Sequence, residues 1–281
     1  MNENRILLDV GGTFVKCSDG RSIPIDSGGS REAIAAALRE AVAPLRERIP
    51  SVSSGETPAG VSPADFSVGV CIPGPFDYRK GIFKMKHKFA AVYGDSFREL
   101  CALPEGVRMG FIHDVNAPLL GLLVRDETLR KGNVALVTFG TGLGFSYAVD
   151  GVVQMNEALG PLRSLYDRPF RSSVLEDYVS RRAILKAYGL PVEGDVKEIS
   201  ERARGGEQRG IDAFLSAGEA FGEGARSLLE ELKISQIFFG GQIARSFDLM
   251  EPAIRRALPA IRLEAVRDYA GATLLGVASI L

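Results

Sequence analysis

The sequence is poor in the features that mark secreted, membrane-bound or polyanion-binding chains. Only three cysteines, Cys17, Cys71 and Cys101, occur in 281 residues, and no two form a C-x-x-C pair. A chain of this length folds without stapling, so they are expected as reduced thiols of a cytoplasmic protein. No apolar run reaches the roughly 20 residues that span a bilayer. The uncharged C-terminal one, residues 270–281, is expected as a buried helix. The opening apolar run is broken at once by Asp9, which leaves no signal-peptide core, so neither export nor a membrane partner is expected. Lys+Arg 34 against Asp+Glu 35 leaves a net charge of −1, with no global field to hold nucleic acid. Two phosphate fingerprints are missing as well: there is no Gly-Lys dipeptide, hence no Walker A loop, and no G-x-G-x-x-G. No repeat with a period of about 20 to 50 residues is present.

What is abundant is glycine, 32 of 281 residues, or about 11% against a usual ~7%. Its placement is regular. Gly11-Gly12, the trio Gly140, Gly142 and Gly144, and Gly240-Gly241 each follow an apolar run: Ile6 to Val10, Val134 to Phe139, and Ile237 to Phe239. Without a Cβ, glycine lets backbone N–H groups approach an anion, so such turns converging on one cleft would make a polyphosphate cradle. After Gly11-Gly12 and after the middle trio the chain continues in β-branched and aromatic residues, which predicts two hairpin tips. Only Gly240-Gly241 leads from a strand towards a helix.

Residues 31–48 read as a helix whose apolar stripe is Ile34, Leu38, Val42, Leu45 and Ile49. Residues 50–63, rich in Ser, Pro and Gly, read as a surface loop, because strand pattern resumes at Phe66-Ser67-Val68-Gly69-Val70. Ile72-Pro73-Gly74-Pro75 ends that strand in a rigid turn. Gly110 to Asp114 reads as a short strand and Ala117 to Arg130 as the next helix; residues 174–188 and 211–232 read as further helices, the last with one face of small or apolar residues. Strands then helix, in both halves, imply an α/β protein of two related lobes with a cleft between them.

Asp9-Val10-Gly11-Gly12-Thr13, Pro73-Gly74-Pro75, Asp114-Val115-Asn116-Ala117, Gly140-Thr141-Gly142-Leu143-Gly144 and Gly240-Gly241 resemble, in order and rough spacing, the motifs of the ROK family. That family of bacterial sugar kinases and repressors belongs to the actin-like ATPase superfamily. The resemblance spans nearly the whole chain. It implies two actin-like (ribonuclease H-like) lobes closing on ATP and a sugar: residues 1–115 with a C-terminal helix at about 268–281, and residues 116–267. It implies that Asp9 holds magnesium through water, that Gly11, Gly12, Thr13 and Lys16 face the phosphates, that Gly140, Thr141 and Gly142 wrap them, and that Gly240 and Gly241 lie by the adenosine. Asp114 falls on the catalytic base, while Gly74, His113, Glu157 and Glu176 fall on the sugar side. A homo-oligomer, commonly a dimer, is implied too.

Other readings of these residues stay open. Asp114 or Asn116 also suits the N-cap of the helix that follows. Ser173-Val174-Leu175-Glu176 has the form of a capping box, and Glu157 that of a surface carboxylate. The chain also departs from the family. No Cys follows Cys101 and no His follows His113, so the family's zinc site cannot form. Pro161 stands at a sugar-contacting His, His113 at a common Asn, and Leu122 at a frequent Glu. His113 is placed to donate to a sugar hydroxyl or to Asp114, or only to pack. Lys84-Met85-Lys86-His87-Lys88-Phe89 replaces an Asn-Leu that contacts sugar, and suits either an anionic substrate or a solvated face. The expected activity is ATP-dependent phosphorylation of a sugar hydroxyl on a hexose, amino sugar or derivative. The alternative is a non-catalytic sugar- or nucleotide-sensing regulator acting through protein contacts, since the eight residues before Asp9 hold no DNA-binding domain.

Overall fold

The computed structural model describes residues 3–49 and 62–281. The expected surface loop over 50–63 therefore lies outside the described residues up to 61, after which Ser62 caps a 3-10 turn, Pro63–Asp65. Two compact units form: Met1–Arg125, Met155–Gly160 and Ala270–Leu281 make the first, and Asp126–Gln154 with Pro161–Tyr269 the second.

The first unit opens with strands β1 (Arg5–Val10), β2 (Phe14–Cys17) and β3 (Ser22–Pro24), then helix α1 (Arg31–Arg46). Strand β4 (Ser67–Ile72), the small pair β5 (Phe76–Asp77) and β6 (Ile82–Phe83), and the one-turn helix α2 (Phe97–Leu100) follow. Next come β7 (Arg108–His113) and α3 (Asn116–Arg125). The sheet order is β3-β2-β1-β4-β7, with β1, β4 and β7 parallel and the β1-β2 and β2-β3 pairs antiparallel.

The second unit repeats the plan. Strands β8 (Asn133–Phe139), β9 (Leu143–Val149) and β10 (Val152–Val153) form a meander, and β11 (Pro169–Phe170) with β12 (Ser173–Val174) a small hairpin. Helices α4 (Glu176–Val179), α5 (Arg181–Tyr188), α6 (Val196–Arg204) and α7 (Gln208–Glu231) come next. Strand β13 (Gln236–Gly240), helix α8 (Phe247–Ala257) and strand β14 (Arg262–Ala265) complete it. Its order, β10-β9-β8-β13-β14, has the same pattern of strand senses. The last helix, α9 (Tyr269–Ala278), returns to the first unit. Two five-stranded ribonuclease H-like sheets with helices are the α/β fold expected from the sequence.

Period-2 and period-3.6 patterns meet in the first core. Ile6, Leu8 and Val10 of β1 pack in one cluster with Ile34, Leu38, Val42 and Leu45 of α1. Ser30 starts α1 by accepting from Ala33 N–H, as a cap should. On the other face, Leu7, Cys71, Ile112 and Ala117 cluster with Val277 of α9. That face is kept flat by Gly69 and Gly110, paired across β4 and β7; a Cβ on Gly69 would lie 2.6 Å from Val277. In the second unit Gly218 and Gly222 do the same between helices, since a Cβ on Gly222 would sit 2.3 Å from that of Ala257.

Two details differ from the sequence expectations. The helix expected to reach Arg130 stops at Arg125, because Asp126 accepts from Thr128 N–H at 2.9 Å and opens a 3-10 turn. The helix expected over 174–188 is split: Ser173 and Val174 pair with β11, and Ser180, at ψ 173°, separates α4 from α5. All three cysteines are buried and unpaired. Among the described residues no helix is long and apolar enough to cross a membrane.

Helices α3 and α9 touch backbone to backbone. A Cβ on Gly121 would lie 1.8 Å from Ala272 O, and one on Gly276 1.9 Å from Ala117 O. Neither obstacle is a movable side chain, so Gly121→Ala is expected to cost about 3 kcal/mol or more. A urea melt with an unchanged midpoint would refute this contact.

Candidate active site residues in each unit

Parallel strands end at one edge, and in the first unit that edge collects the polar residues. Register places Asp9 beside Cys71 and Ile72 beside His113, so Asp9, Pro73-Gly74 and His113-Asp114 follow from neighbouring strands. The β1-β2 tip adds Gly11, Gly12 and Thr13, closed by Gly11 N–H donating to Phe14 O at 2.9 Å. Lys16 lies across from Asp9, its Nζ 3.9 Å from Oδ2. Gly74 is held close: a Cβ there would be 3.2 Å from Tyr78 Oη and 3.3 Å from the His113 ring.

The two acids at this edge are tuned in opposite directions. Burial pushes the Asp9 carboxyl up; Lys16 and the Cys71 thiol work against this, and the Asp114 charge adds to it. Desolvation also pushes Asp114 up, but the hydrogen bond and charge of His113, the charge of Lys88 and the Val115 N–H outweigh it and hold the carboxyl below its ordinary value. His113 Nδ1 lies 2.8 Å from Asp114 Oδ1, and the Val115 N–H lies near both the carboxylate and Nδ1. The Asp114 side chain is still 42% exposed, so a substrate can reach it. Helix α3 begins two residues later, at Asn116, whose side-chain amide donates to Leu159 O.

Glu157 belongs to the first unit, in the segment 155–160. Asn156 Oδ1 accepts from Ala158 and Gly160 N–H groups and shapes this turn, leaving the Glu157 side chain exposed. Glu176 lies in the second unit and does not cap α4. Ser173 is in a strand with its hydroxyl on Asp177, so the capping box does not form. Instead Glu176 Oε2 accepts from Leu143 N–H at 2.9 Å, and Oε1 lies 3.6 Å from Arg182. The carboxylate thus props the middle glycine loop, and a Cβ on Gly142 would sit 2.6 Å from it.

Strands β8 and β13 also end together, with Gly240 opposite Thr138. A cavity of about 410 Å³ opens there, lined by Gly140 and Thr141 from one loop and by Gln242 and Ile243, just after Gly240-Gly241, from the other. Gly241 has φ +86°, and its Cβ would be 2.4 Å from Phe139 O. Gly140 has open space around it. Four basic side chains on the lining, Arg181, Lys197, Arg204 and Arg245, were not singled out in the sequence. Arg204 is matched by Asp248 and Lys197 by Glu201, but Arg181 donates only to the carbonyls of Val192 and Gly194. They are scattered between residues 181 and 245, so no local motif announces them.

No family model matches the chain, and no curated protein matches it in sequence. Solved structures do match. A ROK family glucokinase from Streptomyces griseus, in complex with glucose and AMPPNP, is 20% identical over 98% of each chain, with TM-score 0.72. A ROK hexokinase from Thermus thermophilus is 24% identical, covering 97% of this chain and 96% of its own, with TM-score 0.65. A ROK family transcriptional regulator, a homolog of the E. coli MLC protein, is 18% identical over 99% of this chain and 78% of its own, with TM-score 0.71. The chain has the fold these structures share.

The Asp9 tuning has a measurable sign. A carboxyl raised above its unfolded value of 3.8 opposes folding once ionised, and ceases to do so when pH falls below that value. Asp9→Asn is therefore expected to raise Tm near neutral pH, with the gain vanishing by about pH 3. A Tm difference that does not change with pH would show that Asp9 is not strained. In the second unit, Gly241→Ala should cost about 2 kcal/mol or more. Gly140→Ala should leave the melting midpoint unchanged, a contrast that chemical denaturation reads directly.

Proposed function

We propose that this protein is an ATP-dependent carbohydrate kinase of the ROK type that transfers the terminal phosphoryl group to a sugar hydroxyl. The observation that carries this is Asp114, an ionised, reachable carboxylate at the end of β7, oriented by His113 and set beside Asp9. The shared fold with a glucokinase that holds glucose and AMPPNP supports it.

Phosphoryl transfer is mostly positioning and charge neutralisation. Asp114 would accept the hydroxyl proton late, as the bond to phosphorus forms, because a carboxylate held low in pKa is a weak base towards an unreacted alcohol. His113 keeps the receiving oxygen in place. The cavity of the second unit would take the adenosine, with Gly240-Gly241 at its edge, and the N–H groups of the Gly140-Thr141-Gly142 loop would meet phosphate oxygens. Gly11, Gly12, Thr13 and Lys16 offer the corresponding groups on the first unit. Asp9 fits a water-mediated magnesium site: it is half-buried, its carboxyl is pushed up by desolvation and by a second carboxylate, and its ion-pair partner Lys16 stands 3.9 Å away, a strain that a divalent cation would relieve. Magnesium, when bound, would neutralise phosphate charge. Glu157 and Gly74 fall to the sugar.

A regulator that binds sugar or nucleotide without turnover is the competing function, since one structure of this fold is a transcriptional regulator. Purified protein with ATP, magnesium and a panel of hexoses, amino sugars and N-acetyl sugars separates the two when phosphorylated product is read directly. Turnover of at least one member is expected. Asp114→Asn should keep nucleotide binding and lose about 10² to 10⁴ in kcat. Equal rates for the two proteins would remove Asp114 from the chemistry, and binding without product from any sugar would favour the regulator.

A further inference from the structure

We propose that the first unit selects an acceptor sugar bearing a negative charge, a carboxylate or a phosphate, and that the ammonium of Lys88 is the group that reads it. This rests on the kinase function above and narrows its substrate class.

The loop that carries Lys88 is fixed at both ends to the acid-bearing edge. Lys84 N–H donates to Pro75 O at 3.2 Å, which ties the start of the loop to the Pro73-Gly74-Pro75 turn. At its end, Phe89 N–H donates to Ser27 O at 2.6 Å, and Ser27 N–H donates to Gly12 O at 3.0 Å, which ties it to the β1-β2 tip. Met85 and Phe89 are fully buried and pin the backbone between these ties. Lys88 therefore sits between the glycine tip and the turn beside His113, and its charge is felt at Asp114.

The three lysines of the loop are not equivalent. Lys84 and Lys86 are exposed, and their ammonium groups lie over the Tyr93 ring at 5.7 and 5.6 Å. Lys88 is half-buried, and among the described residues it has no hydrogen bond and no carboxylate within 4 Å. The charge it faces, Asp114, is already held by His113 and Val115, so the Lys88 ammonium keeps its donors for the anion of a ligand. The nearby acids are already served: Asp114 by His113 and Val115, Asp9 by Lys16 and Cys71. A neutral sugar offers no anion to those donors, whereas a carboxylate or phosphate would receive a charge-assisted hydrogen bond. The group thus favours one acceptor class and penalises the other.

The test is calorimetric titration of the full chain, without nucleotide, with neutral sugars and their anionic counterparts. Hexoses and N-acetyl sugars are each paired with the 6-phosphate, and glucose also with glucuronate, so that the two arms tell a phosphate from a carboxylate. At least one anionic sugar is expected to bind about tenfold more tightly than its neutral parent. Lys88→Gln should abolish that preference, Lys88→Arg should keep most of it, and Lys84→Gln should leave it intact. Failure of every anionic sugar to outbind its parent overturns the proposal, as does a preference that survives Lys88→Gln. With ATP and magnesium present, a Lys88→Gln effect confined to the KM for ATP would assign the ammonium to the nucleotide and also overturn it. An anion preference that depends on Lys88, without phosphorylated product, would sink the kinase function and leave the Lys88 assignment standing.

Discussion

The parallel register of β1, β4 and β7 is the constraint from which the first unit's chemistry follows. Parallel strands present their carboxyl ends together, so the residues just past the apolar stretches meet without help from any long loop. Asp9 sits within β1 rather than after it, one position short of the end, and is therefore more enclosed than Asp114, with 25% of its side chain exposed against 42%. That offset of two positions in register, together with the hydrogen bond from His113, pushes two neighbouring carboxylates apart in proton affinity. Environments that separate like groups in this way are how one site obtains distinct roles from identical chemistry.

The second unit has the same sheet order but spends its strand ends differently. Backbone and empty space replace carboxylates there: Gly241 turns against Phe139 O, Gly140 leaves room, and Glu176 is used to prop the loop. Four basic side chains line the cavity with them, two matched by Glu201 and Asp248. One sheet plan thus supports an acid-bearing edge in one unit and a glycine-bearing edge in the other.

What could be read from the sequence was what is local. The hairpin tips at Gly11-Gly12 and Gly140 to Gly144 were legible because β-branched and apolar runs flank them on both sides, and the α1 stripe because its spacing is regular. The split at Ser180 was not, since residues 174–188 contain neither Gly nor Pro and the break is imposed by β11-β12 pairing and by Arg181 N–H donating to Gly140 O. The capping-box form at Ser173 to Glu176 misled for a related reason: a partner 33 residues away, Leu143 N–H, took the carboxylate first. The lysine run was visible, but that Lys88 is less exposed than Lys84 and Lys86 depended on the ties of the loop to Ser27 and Pro75. The bonds of Leu143 N–H to Glu176, Arg181 N–H to Gly140 O and Phe89 N–H to Ser27 O join residues 33 or more positions apart, beyond the reach of any local pattern.

Helix α9 carries a consequence for how the molecule is made. Val277 and its neighbours seal the face of β1, β4 and β7 opposite α1, yet they are translated only after the whole of the second unit, Asp126–Gln154 and Pro161–Tyr269. During synthesis the flat patch at Gly69 and Gly110 must therefore wait uncovered while more than a hundred further residues emerge from the ribosome. The residues of the second unit are all in the chain by Tyr269, before the residues that cover this patch are made.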